Sequence, residues 1–219
     1  MKNVKEVVDK ISINTHTSIK IADIKTIYID PYNIEEDTHD ADIIFITHSH
    51  YDHLSPESIN IIMNDRTKFI VPSSIEKDFN DSDIELYDTN EVIYVDVNND
   101  YTIDNMSFKV VPSYNEGKNF HKKEFGFVGY ILDIDDALIY IAGDTDINND
   151  NKNIKCDIAL LPIGGTYTMD YKEAAKLTNI IKPSVVIPTH YGSVVGDKED
   201  FNRFKKEVDS SIEVVEKIL

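Results

Sequence analysis

The chain has 219 residues, 41% hydrophobic and 10% aromatic, with 22 basic against 40 acidic side chains and a formal net charge of −18. That length and composition suit one globular domain with a sizeable core, and the charge disfavours nucleic acid as a partner. No apolar run approaches the ~20 residues that cross a bilayer, the amino terminus lacks the apolar stretch of a signal peptide, and the single cysteine, Cys156, cannot form an internal disulfide; a cytoplasmic location is expected.

In chain order, Ile11 to Ile21 and Thr26 to Ile29 read as an opening pair of strands closed by the turn at Asp30-Pro31. Asp42 to Thr47 is a buried strand. Ser55-Pro56-Glu57 starts a helix, with Ser at the N-cap and Pro at the first helical position, running to about Asn64. Lys68 to Val71 and Ile84 to Tyr87 are further strands, and Val92 to Val97 with Met106 to Val111 reads as a meander about the polar turn 98–100. Strands follow at Phe127 to Asp133, Leu138 to Ala142 and Ile158 to Leu161. The helix predicted over Asp170 to Ile181 stops at Lys182-Pro183, where proline cannot continue the ladder. A strand over Val185 to Ile187, a helix near Lys198 to Val208 and a strand near Ile212 to Val215 complete the pattern. No glycine- or serine-rich linker divides it, so one domain over 1–219, with sheets covered by helices, is expected.

The chemistry concentrates where strands end. His48, His50, Asp52 and His53 crowd into six residues directly after Ile43-Ile44-Phe45-Ile46. Imidazoles mixed with carboxylate suit zinc, manganese or iron(II), and His48 and His50, two apart, can turn toward one ion. Three further clusters follow predicted strands: Ser113-Tyr114-Asn115 with the loop Lys118 to His121, Gly143-Asp144-Thr145-Asp146, and Pro188-Thr189-His190-Tyr191. Each alone is a weak signal, because Gly-Asp after a strand is commonly a turn. Acid or imidazole recurring at strand ends is how a catalytic site is assembled from several elements.

These motifs resemble a metallo-β-lactamase-fold hydrolase over essentially the whole length. H-x-H-x-D-H at His48, His50, Asp52 and His53 is the most specific element, Asp144 in I-A-G-D-T-D matches that family's metal-bridging Asp, and His190 in I-P-T-H-Y-G matches its last ligand. T-H-T-S and I-D-P at Asp30-Pro31 resemble the branch with ascorbate-6-phosphate lactonase and N-acylphosphatidylethanolamine phospholipase D. L-P-I-G-G-T-Y-T-M resembles a subgroup of uncharacterised metal-dependent hydrolases there. The resemblance implies an α/β fold, an αββα sandwich of two mixed sheets flanked by helices. It also implies two divalent ions, zinc first and manganese, iron or nickel as alternatives. His48 and His50 would hold the first ion, Asp52, His53 and His190 the second, and Asp144 would bridge. Where the family has a third histidine of the first site this chain has Asn115, so Asn115 or His121 must complete it.

The expected reaction is attack by metal-activated water on a small-molecule ester, lactone or phosphoester, with Asp52, Asp144 and His121 as the catalytic set and His16 and Asp30 bracing the imidazoles. Lys118 in its basic loop, and Thr166, Tyr167 and Tyr191 in the loops after Gly164 and His190, are the expected substrate contacts, with an anionic group as the target. A phosphodiesterase or nuclease of the same fold, and a metal-binding regulatory protein without turnover, are the alternative readings. The oligomeric state is left open.

Overall fold

A computed structural model of the chain describes residues 4–218. The chain divides into two compact units, one formed by residues 97–217 with those before Lys10, the other by Lys10–Asp96. Each is built on its own mixed sheet.

The Lys10–Asp96 unit has a six-stranded sheet in chain order. β1 (Ile11–Ile13), β2 (Ile19–Ala22) and β3 (Thr26–Ile29) run antiparallel, and β4 (Ile43–Phe45), β5 (Lys68–Pro72) and β6 (Glu91–Val95) add in parallel. β4 is Ile-Ile-Phe and wholly buried, the unbroken apolar run that a central parallel strand requires. α2 (Pro56–Ile62) starts as the sequence predicts: Ser55 is the N-cap, its hydroxyl accepting from Ser58 N, and Pro56 opens the first turn.

In the other unit the sheet order is β13-β12-β11-β10-β9-β8-β7. β7 (Asp100–Ile103), β8 (Met106–Pro112), β9 (Val128–Ile134) and β10 (Ala137–Ile141) form an antiparallel meander, and β11 (Ile158–Pro162), β12 (Val185–Thr189) and β13 (Glu213–Val214) continue in parallel. Two hairpins close through two-residue loops, Asp104-Asn105 and Asp135-Asp136, all four residues at positive φ. Asp and Asn tolerate that region, and its twist matches paired strands. α4 (Tyr171–Ile181) turns Ala174, Ala175, Leu177, Thr178 and Ile181 inward, and packs on β11 and on α5 (Asp200–Glu207).

Two sequence expectations are corrected, and one element was not expected. Ile84 to Tyr87 is not a strand: Leu86 and Tyr87 are exposed, and no neighbouring strand pairs with them. The segments 92–97 and 106–111 are not one meander, because β6 pairs with β5 while β8 pairs with β7 and β9. α1 (Val4–Lys10) is a helix that the alternating charges did not announce; it buries Val7 and Val8. The two mixed sheets with flanking helices are the α/β architecture that the motifs imply.

Candidate metal centre

In the first sheet's unit, His16 lies in the turn between β1 and β2, Asp30 directly follows β3, and His48 to His53 follow β4. His16 and Asp30 both sit at positive φ, +55° and +49°, a region in which His, Asp and Asn are the side chains most often found after glycine. Asp30 is fully buried and accepts three hydrogen bonds: Thr47 N at 2.8 Å, Thr47 Oγ1 at 2.7 Å and His53 Nδ1 at 2.8 Å. Burial pushes its carboxyl up from the ordinary range, and the facing His53 imidazole opposes that rise.

This network sets the tautomers. The Thr47 hydroxyl gives its proton to Asp30, so at 3.0 Å it accepts from His48 Nδ1. His48 and His53 therefore carry their protons on Nδ1 and present Nε2 lone pairs, the state a metal ligand needs. His48 Nε2 lies 3.1 Å from His50 Nδ1, and His16 Nε2 lies 3.0 Å from Asp52 Oδ2. His53 Nε2 is 3.9 Å from that same Asp52 oxygen.

In the second sheet's unit, Asn115 follows β8, Asp144 follows β10 and His190 follows β12. Asp144 is 3% exposed, and its Oδ2 lies 3.2 Å from His121 Nε2 and 3.1 Å from His190 Nε2. His121 Nδ1 donates to the Tyr167 carbonyl at 3.2 Å. A neutral His121 thus turns a lone pair toward a carboxylate, an arrangement that calls for a cation between them. The spacings of 3.0 to 3.2 Å in both units match the roughly 3.3 Å ligand-to-ligand edge of a tetrahedral shell with ~2.0–2.1 Å bonds. On donor chemistry and on spacing, these residues fit divalent metal.

The comparisons with known proteins agree. The family described as beta-lactamase superfamily domain matches residues 10–190. A UPF0173 metal-dependent hydrolase of Thermococcus onnurineus is 30% identical, with 94% of this chain and 95% of that protein aligned. A UPF0173 metal-dependent hydrolase of Pyrococcus horikoshii is 31% identical over the same shares. The chain belongs to the UPF0173 metal-dependent hydrolases of the metallo-β-lactamase superfamily. A metallo hydrolase from Ignicoccus hospitalis shares the fold, with a TM-score of 0.75 at 23% identity over 95% of this chain and 94% of its own.

In this UPF0173 hydrolase, Asn115 uses its amide nitrogen to hold a loop and leaves its buried Oδ1 without a hydrogen-bond partner. Its Nδ2 donates to the carbonyls of Tyr167 at 2.6 Å and Phe120 at 3.1 Å, and its backbone N–H donates to His121 O at 2.7 Å. It ties the loop that carries His121, so His121 faces Asp144 and Asn115 holds it there. Replacing Asn115 with Ala should weaken metal affinity by about tenfold or more, read by chelator competition; unaltered affinity would show that the loop holds itself.

The loops expected to meet an anionic group make internal contacts. Lys118 Nζ is committed to Asp146 Oδ1 at 2.5 Å and to Thr168 O at 2.7 Å, pinning two loops together. Four amides after Gly164 are bonded internally as well, Gly165 N to Met169 O, Tyr167 N and Thr168 N to Gly165 O, and Met169 N to Thr145 O. The N-terminus of α4 is closed by its own acid, Asp170, which accepts from Lys172 N and Glu173 N in a capping box. Tyr191 is buried, with Gly196 against its Cβ, whereas Thr166 and Tyr167 are exposed at the tip of their turn.

Sequence reasoning missed Thr47, the Tyr167 carbonyl and Gly164. Gly164 matters because a Cβ there would stand 2.1 Å from the His190 carbonyl oxygen and 2.9 Å from Val195 Cγ2. His190 is itself at φ +57°, so Gly164 lets one loop accommodate the left-handed backbone of the other. Gly164→Ala should lower stability by about 2–3 kcal/mol in a denaturant melt; a wild-type midpoint would mean that the His190 backbone moves freely.

Proposed function

We propose that the whole chain acts as one hydrolase domain with a binuclear divalent centre, zinc first, cleaving an ester, lactone or phosphoester of a small molecule. His16, His48, His50, Asp52 and His53 of the one unit, and His121, Asp144 and His190 of the other, would supply the ligands. This differs from the sequence reading by bringing His16 in as a ligand and assigning His121 in place of Asn115. Divalent ions there supply Lewis acidity, lowering the pKa of water and polarising the scissile group.

The observation that carries the reading is the tautomer control: Thr47, Asp30 and Tyr167 each hold the Nδ1 proton of one imidazole, and each ring then offers Nε2. Asp52 lies against His53 and against a further imidazole, His16, and can hold the proton that water gives up. Asp144 keeps His121 and His190 oriented through one oxygen. The T-H-T-S and I-D-P motifs support a place in the branch with ascorbate-6-phosphate lactonase.

The test is a panel of nitrophenyl esters, lactones and phosphoesters assayed before chelation, after it, and after adding back zinc or manganese. Turnover that vanishes with chelator and returns with metal is expected. Turnover that survives metal stripping, or stoichiometric metal with no turnover across the panel, would overturn the reading.

A further inference from the structure

His121 sits within a collar of aromatic side chains. Phe120 precedes it, and the Phe120 and Tyr167 rings meet edge to face at 4.8 Å while remaining 48% and 38% exposed. Phe127 lies 6.1 Å from the His121 ring and 5.6 Å from Phe125, itself 43% exposed. Exposed aromatics in a row have lost the hydrophobic gain that would hide them, which marks a contact surface. The backbone fixes this surface to the metal ligand: the Tyr167 carbonyl receives both His121 Nδ1 and Asn115 Nδ2, and the Phe120 carbonyl receives Asn115 Nδ2. The other ligand cluster carries an aromatic of its own, Tyr51, which is 65% exposed and meets Tyr32 edge to face at 6.0 Å.

Charge points the same way. Lys118 is held by Asp146 and Thr168, and Lys123 by Asp150. Lys118 thus faces a carboxylate, and Glu116 lies two residues before it in the same loop, so its surroundings are acidic rather than basic. The third lysine, Lys122, shares its loop with Glu116 and Glu124. Arg66 and Arg203, the only arginines, are paired with Asp65 and Asp200. An anionic group meets little here that favours it, while a flat apolar group meets rings.

We propose that Phe120 and Tyr167 bind the non-reacting part of the substrate, and that this part is a neutral apolar or aromatic group rather than a phosphate or carboxylate. This rests on the metal-centre reading above and narrows it.

The experiment uses three metal-chelating hydroxamates on the zinc-loaded protein, with binding read by calorimetry, so turnover is not required. Phenylacetohydroxamate should bind about tenfold or more tighter than acetohydroxamate, and succinohydroxamate no tighter than acetohydroxamate. Phe120→Ala and Tyr167→Ala should each reduce that ring preference severalfold, the double variant should erase it, and Tyr167→Phe, which keeps the ring, should retain it. A preference near one in the wild type, tighter succinohydroxamate binding, or a preference that survives the double variant overturns the proposal. So does a preference that survives while the variants change the oligomeric state, which would make the pair a subunit contact. If no hydroxamate binds at all, the metal-centre reading itself has failed, an outcome distinct from equal binding of all three.

Discussion

Replacing Asp144 with Ala should reduce metal-dependent turnover on the order of 10³-fold while leaving the fold in place. A single oxygen of this buried carboxylate lies 3.2 Å from His121 Nε2 and 3.1 Å from His190 Nε2. Removing it deprives two imidazoles of their common anionic partner and any bound cation of a charged ligand. The loop itself should survive, because it is also held through backbone: the Asp144 carbonyl accepts from Ser113 Oγ, and Thr145 Oγ1 donates to Tyr114 O. The measurement is kcat with saturating metal alongside a thermal melt. Undiminished kcat in a folded variant would refute the role of Asp144.

Asp30→Ala should have the largest effect on stability, about 3–5 kcal/mol. Three donors converge on this carboxylate, from the Thr47 backbone, the Thr47 hydroxyl and the His53 ring, and all of these groups are buried. Alanine leaves them without an acceptor in a place water does not reach. His53 and, through Thr47, His48 would also lose the contacts that fix their Nδ1 protons, so metal affinity should fall with stability. Asp30→Asn separates charge from shape, and should lose less stability. Equal denaturation midpoints for wild type and the alanine variant would contradict this account.

How much of this was legible in the sequence follows from the range of each interaction. The apolar run Ile43 to Ile46 ahead of three imidazoles announced both a buried strand and its loop, because side-chain burial and strand length are local properties. The Ser55-Pro56-Glu57 start and the Lys182-Pro183 stop of the helices were legible for the same reason. The strand expected at Ile84 to Tyr87 failed because Leu86 and Tyr87 remain exposed, and exposure is not a local property. At the site, His48, His50, Asp52, His53, Asp144 and His190 could be named from motif alone. The orientation of His121 could not, since it depends on the Tyr167 carbonyl arriving from a loop 46 residues beyond His121. The pairing of Lys118 was hidden for a similar reason: its partner Asp146 lies 28 residues away. Gly164 left only the Gly-Gly dipeptide as a signal, and its importance is steric, set by the His190 carbonyl.

The central claim is that these imidazoles and carboxylates hold divalent metal. Zinc-edge anomalous diffraction from crystals of protein purified without chelator tests it most directly. The account predicts two peaks about 3.5–4 Å apart, one beside His48 and His50 and the other beside Asp52 and His53, with Asp144 and His190 turned toward them. Metal-replete crystals with no peak at those residues, or with the Asp144 carboxylate and His190 imidazole directed away from the peaks, would contradict it.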